Sequence, residues 1–181
     1  MKSPRILPTW LQFRRARILG ARVYVHWSVL VVVALLALVS IRSPIHAAVA
    51  IASYLGIIVI HEAGHAWVAR RLGCRVDAIH VSFLHGYCTH DMPYNETDHV
   101  LIAWGGVAAQ LVVAIPLLTV ATIFDRQDFG YAAPAIAFLG YVNIVIALAN
   151  LAPAPGFDGQ IAWRALPLLW RRATGSRGRG F

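Results

Sequence analysis

Two histidines four residues apart, His61 and His65, with Glu62 beside the first, lie inside IIVIHEAGHAWVARR, residues 57 to 71. On a helix that spacing puts both imidazoles on one face, where they can share one divalent cation. Glu62 can then take a proton from water activated by the ion. Zinc suits such a pair, because it brings the pKa of bound water down to about 7 and so makes hydroxide available near neutrality. The chemistry expected of this stretch is metal-assisted hydrolysis.

A catalytic zinc keeps three protein ligands and one open position, so a third ligand is required. A further histidine six residues after His65 would serve, but that position is Arg71, and no acid lies between Leu84 and His90. Asp91, Glu96 and Asp98 sit in a polar loop. Asp158, in NLAPAPGFDGQ (residues 150–160), follows the last long apolar segment, behind Pro153 and Pro155, which end a helix and leave extended backbone. Depth favours Asp158 over the loop acids. His65 stands five residues before Arg70 and Asp158 six before Arg164, each near the same end of its apolar segment.

The elements that must position these residues are oily. Of 181 residues 59% are hydrophobic and 13% charged, too little polar surface to cover a core in water. Segments 23–41, 47–69, 101–124 and 131–151 each approach the roughly 20 residues that a bilayer requires. The expected fold is an all-α polytopic membrane protein of about four transmembrane helices. Ile79, Val81 and Phe83 alternate with His80 and Ser82 at strand period, and Gly86 can turn the chain back, so a short β-hairpin is expected between spans two and three. The expected organisation is a basic interfacial N-terminus (1–22), a membrane-embedded core (23–159), and an interfacial helix with a basic tail (160–181).

The net charge of +8 does not point to nucleic acid, because the basic residues cluster at the ends of apolar segments. With the N-terminus inside, cytoplasmic segments hold all the Lys and Arg except Arg42 and Arg126, so both termini and the metal centre are expected at the cytoplasmic face. The bilayer and its anionic lipids are the expected surroundings. A cleaved signal peptide fits less well, since the first apolar run is too long and Ala48-Val49-Ala50 lies within the next span. Cys74 and Cys88 lack zinc-knuckle spacing and are assigned no role. His26 begins span one among interfacial aromatics. His80, His85, His90 and His99 read as solvated or hydrogen-bonded, and His46 as an outer-loop residue.

An acid at the centre of a lipid-exposed helix costs about 2.5–3.5 kcal/mol, so Glu62 must face a protein or water-lined interior. HEAGH in one span, followed after a later span by N-x-x-P-x-P-x-x-D-G, resembles the site-2 protease family of intramembrane zinc metalloproteases. The resemblance takes in Gly105-Gly106 and covers roughly residues 20–165. It implies one zinc ion held by His61, His65 and Asp158, with Glu62 as general base. Asn150 would bind substrate or the developing oxyanion, and the substrate would be a transmembrane protein. Val107 and Gln110 depart from the family's Gly-Pro-x-x-Asn segment, and neither a PDZ insertion nor a CBS pair is expected. The competing reading is a non-enzymatic metal-binding or ion-transport protein built on the same ligands. Glu62 discriminates, because hydrolysis needs a carboxylate that is not a ligand and transport does not.

Overall fold

The computed structural model describes residues 10–83 and 86–174. The chain opens with β1 (Trp10–Ile18) and β2 (Ala21–His26), joined by Leu19 and Gly20. Both turn residues have positive φ, 48° and 75°. That conformation matches the twist of two paired strands. α1 (Ser28–Val39) and α2 (Pro44–Arg71) carry the chain away from the sheet and back. β3 (Val76–Val81) and β4 (Gly86–His90) follow, then α3 (Glu96–Ile123) and a third long helical run, α4 (Gln127–Asn150). Two short helices close the described chain: α5 (Gly159–Ala162) and α6 (Ala165–Ala173).

The strand order is β1-β2-β3-β4. β1 pairs with β2, and β3 with β4, in antiparallel fashion, while β2 and β3 run parallel from Arg22↔Ala78 to Val25↔Val81. A parallel pair needs a long crossover, which the α1–α2 helical hairpin supplies. An all-α expectation is therefore corrected to a helical membrane core with a four-stranded mixed sheet. The apolar run 23–41 is not one helix. Its first residues, Val23 to His26, complete β2, leaving α1 only 12 residues. At 1.5 Å per residue that is about 18 Å, shorter than the roughly 30 Å hydrocarbon core. Among the described residues three helices, α2, α3 and α4, are long and apolar enough to cross a membrane.

α2 and α3 cross closely enough that glycines are required at the contact. A Cβ on Gly64 would fall on the Gly105 carbonyl oxygen, and one on Gly105 would lie 2.8 Å from the Gly64 carbonyl oxygen. Small residues permit this approach between apolar helices that gain little from burying their side chains against one another. Leucines and valines of α1, Val112 and Ile115 of α3, and Val145 and Leu148 of α4 remain exposed, as a lipid-facing surface requires. His61, Glu62, His65, Gln110, Asn143 and Asn150 are buried instead. These six polar residues of the spans thus face protein.

Candidate active site

His61 and His65 project from one face of α2, and their Nε2 atoms lie 3.0 Å apart. Asp158 Oδ2 is 3.1 Å from His61 Nε2 and 3.3 Å from His65 Nε2. The aspartate arrives on loop 151–158, which is folded back on itself. The Trp163 indole donates to the Leu151 carbonyl at 2.6 Å, and the Trp104 indole donates to the Ala162 carbonyl at 3.1 Å. Asp158 stands at the N-cap of α5 but makes no capping hydrogen bond there. Its carboxylate turns to the imidazoles instead.

The hydrogen bonds behind the imidazoles decide what their front nitrogens can do. His65 Nδ1 lies 2.7 Å from the Ile102 carbonyl oxygen, which can only accept, so Nδ1 carries the proton and Nε2 presents a lone pair. His61 Nδ1 lies 2.9 Å from Gln110 Oε1 in the same manner. With both rings neutral, as metal binding requires, two bare nitrogens and a carboxylate oxygen face one another, and Asp158 Oδ2 has no hydrogen-bond partner among the described residues. Three acceptors at 3.0–3.3 Å repel unless a cation joins them. A tetrahedral ion with bonds of about 2.0–2.1 Å holds its donors roughly 3.3 Å apart. Among the described residues this is the group able to hold a metal ion, and its nitrogen and oxygen donors suit zinc.

Glu62, one residue round the helix from His61, is 1% exposed. One carboxylate oxygen accepts from the backbone N–H of Gly86 on β4. The other, Oε2, has no partner among the described residues. A Cβ on Gly86 would stand 2.5 Å from Glu62 Oε1, so the strand comes this close only because the residue is glycine. Asn150, at the end of α4, brings its amide to 3.5 Å from His61 Nε2. A cavity of about 310 Å³ joins these groups, lined by His61, Glu62, His65, Cys88, Asn150 and Asp158 among others.

The solved structure of the site-2 protease from Methanocaldococcus jannaschii matches this arrangement with a TM-score of 0.70 and 24% identity, covering 94% of this chain and 74% of that one. The chain has the fold of a site-2 protease core. A zinc metalloprotease of the same organism is 30% identical over 109 residues, 60% of this chain and 31% of its own length. A provisionally named zinc metalloprotease of Synechocystis sp. is 30% identical over 124 residues, 68% of this chain and 31% of its own. The chain thus spans about a third of the length of these curated relatives. No protein-family model matches it.

Within this fold the other acids expected from the polar loop have separate partners. Asp91 accepts from the Arg75 backbone N–H and Asp98 from Asn95, while Glu96 is exposed in the first turn of α3. His26 bonds Ser28 and packs on Trp10, away from the cavity. His80 is stacked between Tyr24 and Tyr87, with ring centroids 4.8 and 4.2 Å away. His46 bonds Ser43. His90 and His99 line the cavity, which their place in a polar segment did not reveal. His85 lies outside the described residues.

Cys88 is another unforeseen lining residue, carried inward by the alternation of β4. Burial, reinforced by the charge of Glu62, pushes its thiol up to about 12. At pH 8 only about one molecule in ten thousand would carry the thiolate, the form that reacts. Cys88 in the folded chain is therefore expected to resist iodoacetamide at pH 8 for hours and to alkylate readily after denaturation. Mass spectrometry of the labelled peptides reads the difference.

Proposed function

We propose that this chain is a zinc-dependent intramembrane endopeptidase that hydrolyses peptide bonds in or near transmembrane segments of membrane proteins. The observation that carries the reading is the convergence of three potential metal donors, from His61, His65 and Asp158, beside the Oε2 of Glu62, which has no partner among the described residues. Those three side chains would hold a zinc ion, which would supply Lewis acidity to a water molecule and to the scissile carbonyl. Glu62 takes the proton from the water on its free oxygen while the Gly86 N–H holds the other. It then delivers that proton to the leaving amine. The Asn150 amide donates to the carbonyl oxygen as negative charge develops there.

A helical substrate must unwind before any of its amides can be attacked, because they are bonded within the helix. β4 is an edge strand of the sheet and also lines the cavity. Its unpaired edge supports an extended substrate segment lying alongside as an added strand. The clustering of arginines supports an inward-facing N-terminus with the site near the cytoplasmic side, where water can enter.

Metal removal tests the proposal. The purified chain in detergent should carry about one zinc and cleave a reporter transmembrane protein. A chelator should abolish cleavage, and added zinc should restore it. Stoichiometric zinc with no cleavage of several reporter spans would instead favour an ion-binding or transport protein.

A further inference from the structure

We propose that Gln110 and Asn143 form a positioning relay that dictates which ring nitrogen of His61 is left bare for the metal. The inference rests on the metal-site reading above but not on the reaction performed there. Both side chains are fully buried, at 0% exposure, in α3 and α4 respectively. Two amides deep in apolar helices must be hydrogen-bonded throughout, and here the pattern of bonds has only one consistent direction.

The direction is set by backbone. One amide atom of Asn143 lies 3.1 Å from the Gln110 carbonyl oxygen and 3.1 Å from the Leu139 carbonyl oxygen. Both oxygens can only accept, so this atom must be the NH2 nitrogen. Asn143 Oδ1 is then the atom that meets Gln110, at 2.9 Å, and the Gln110 atom facing it must be the Nε2 donor. That leaves Gln110 Oε1 facing His61, 2.9 Å from Nδ1. An acceptor there requires Nδ1–H, and Nδ1–H leaves Nε2 with its lone pair toward His65 Nε2 and Asp158 Oδ2. His65 is set by one backbone carbonyl directly. His61 reaches its carbonyls through two side chains.

A purely structural role for this pair, as a bond between α3 and α4, would affect stability without favouring one tautomer of His61. Metal affinity separates the two roles, because supporting partners of metal-bound histidines change it by about 10–100-fold when removed. Zinc would be titrated into the metal-free chain in detergent against a chromophoric chelator. Gln110→Met, which fills the space without an acceptor, should weaken zinc by about 10–100-fold. Gln110→Glu, which keeps an acceptor toward Nδ1, should recover most of that loss. Asn143→Leu frees the Gln110 amide to turn and should weaken zinc about tenfold. The double variant Gln110→Met/Asn143→Leu should bind no worse than Gln110→Met alone, because Asn143 acts only through Gln110.

Wild-type affinity in Gln110→Met would overturn the relay, as would a double variant whose loss is the product of the two single losses. Should Gln110→Met not fold, the wild type decides by itself. With ¹⁵N-labelled histidine and the His61 signals assigned by their absence in His61→Asn, the metal-free chain should show His61 protonated at Nδ1. Protonation at Nε2 with Nδ1 left bare would overturn the proposal. A chain that binds zinc yet cleaves no peptide would refute the protease reading while leaving these affinities and the tautomer as predicted.

Discussion

Glu62→Gln is expected to retain about one zinc per chain and to lose cleavage of a transmembrane reporter by about 10²–10⁴-fold, the usual contribution of a positioned general base. The substitution changes little in shape. A glutamine oxygen can still accept from the Gly86 N–H as Oε1 does, so β4 need not move. What disappears is the basicity of Oε2, the atom without a partner among the described residues. Nor should the fold suffer. Glu62 is 1% exposed, and a neutral amide costs less to bury than an ionised carboxylate. Thermal unfolding of the metal-free variant should therefore begin no earlier than in the wild type. If zinc departs together with activity, Glu62 is a ligand and the base must be sought elsewhere.

Gly106→Ala is expected to weaken zinc binding by at least about 10–100-fold, as large an effect as loss of a direct support of a ligand. The added Cβ would stand 2.5 Å from His65 Nε2, 2.6 Å from His61 Cε1 and 2.7 Å from His61 Nδ1. Neither ring can yield cheaply. His65 is tied to the Ile102 carbonyl and His61 to Gln110, so one of these hydrogen bonds must break or α3 must slide. Gly140→Ala is the control. The nearest neighbour of its Cβ would be the flexible end of Leu118, at 3.1 Å, and zinc affinity should stay near wild type. Chelator competition on the two variants side by side reads the contrast, and equal affinities would mean that α3 is not rigid against the imidazoles.

The limits of the sequence are clearest at span one. YVHWSVLVVVALLALVSI has no Asp, Glu, Lys or Arg, and a largely apolar run cannot by itself distinguish a buried strand from a helix. The structure splits it after His26 because β2 finds a parallel partner in β3, more than fifty residues later. Pairing at that distance leaves no periodicity to read. Gln110 presented a similar difficulty, since its place in α3 was visible but not what it touched. Asn143 drew no notice, although an amide inside an apolar span is a signal that could have flagged it.

The ligands were more legible. His61 and His65 share a face because the helix repeat is set by local backbone bonds, so their spacing alone brings the imidazoles together. The prolines ahead of Asp158 mark a helix end for an equally local reason, a fixed φ and a missing N–H. Sequence by itself thus determined the candidate ligand types, the carboxylate beside them and the apolar segments that carry them. Only tertiary structure decided that Asp158 meets both rings at 3.1 and 3.3 Å, that Gly86 holds Glu62, and that an amide pair stands behind His61. Those contacts join residues 24 to 97 positions apart, and at such separations the packing of α2 against α3, α4 and β4 sets the distance, not any local repeat.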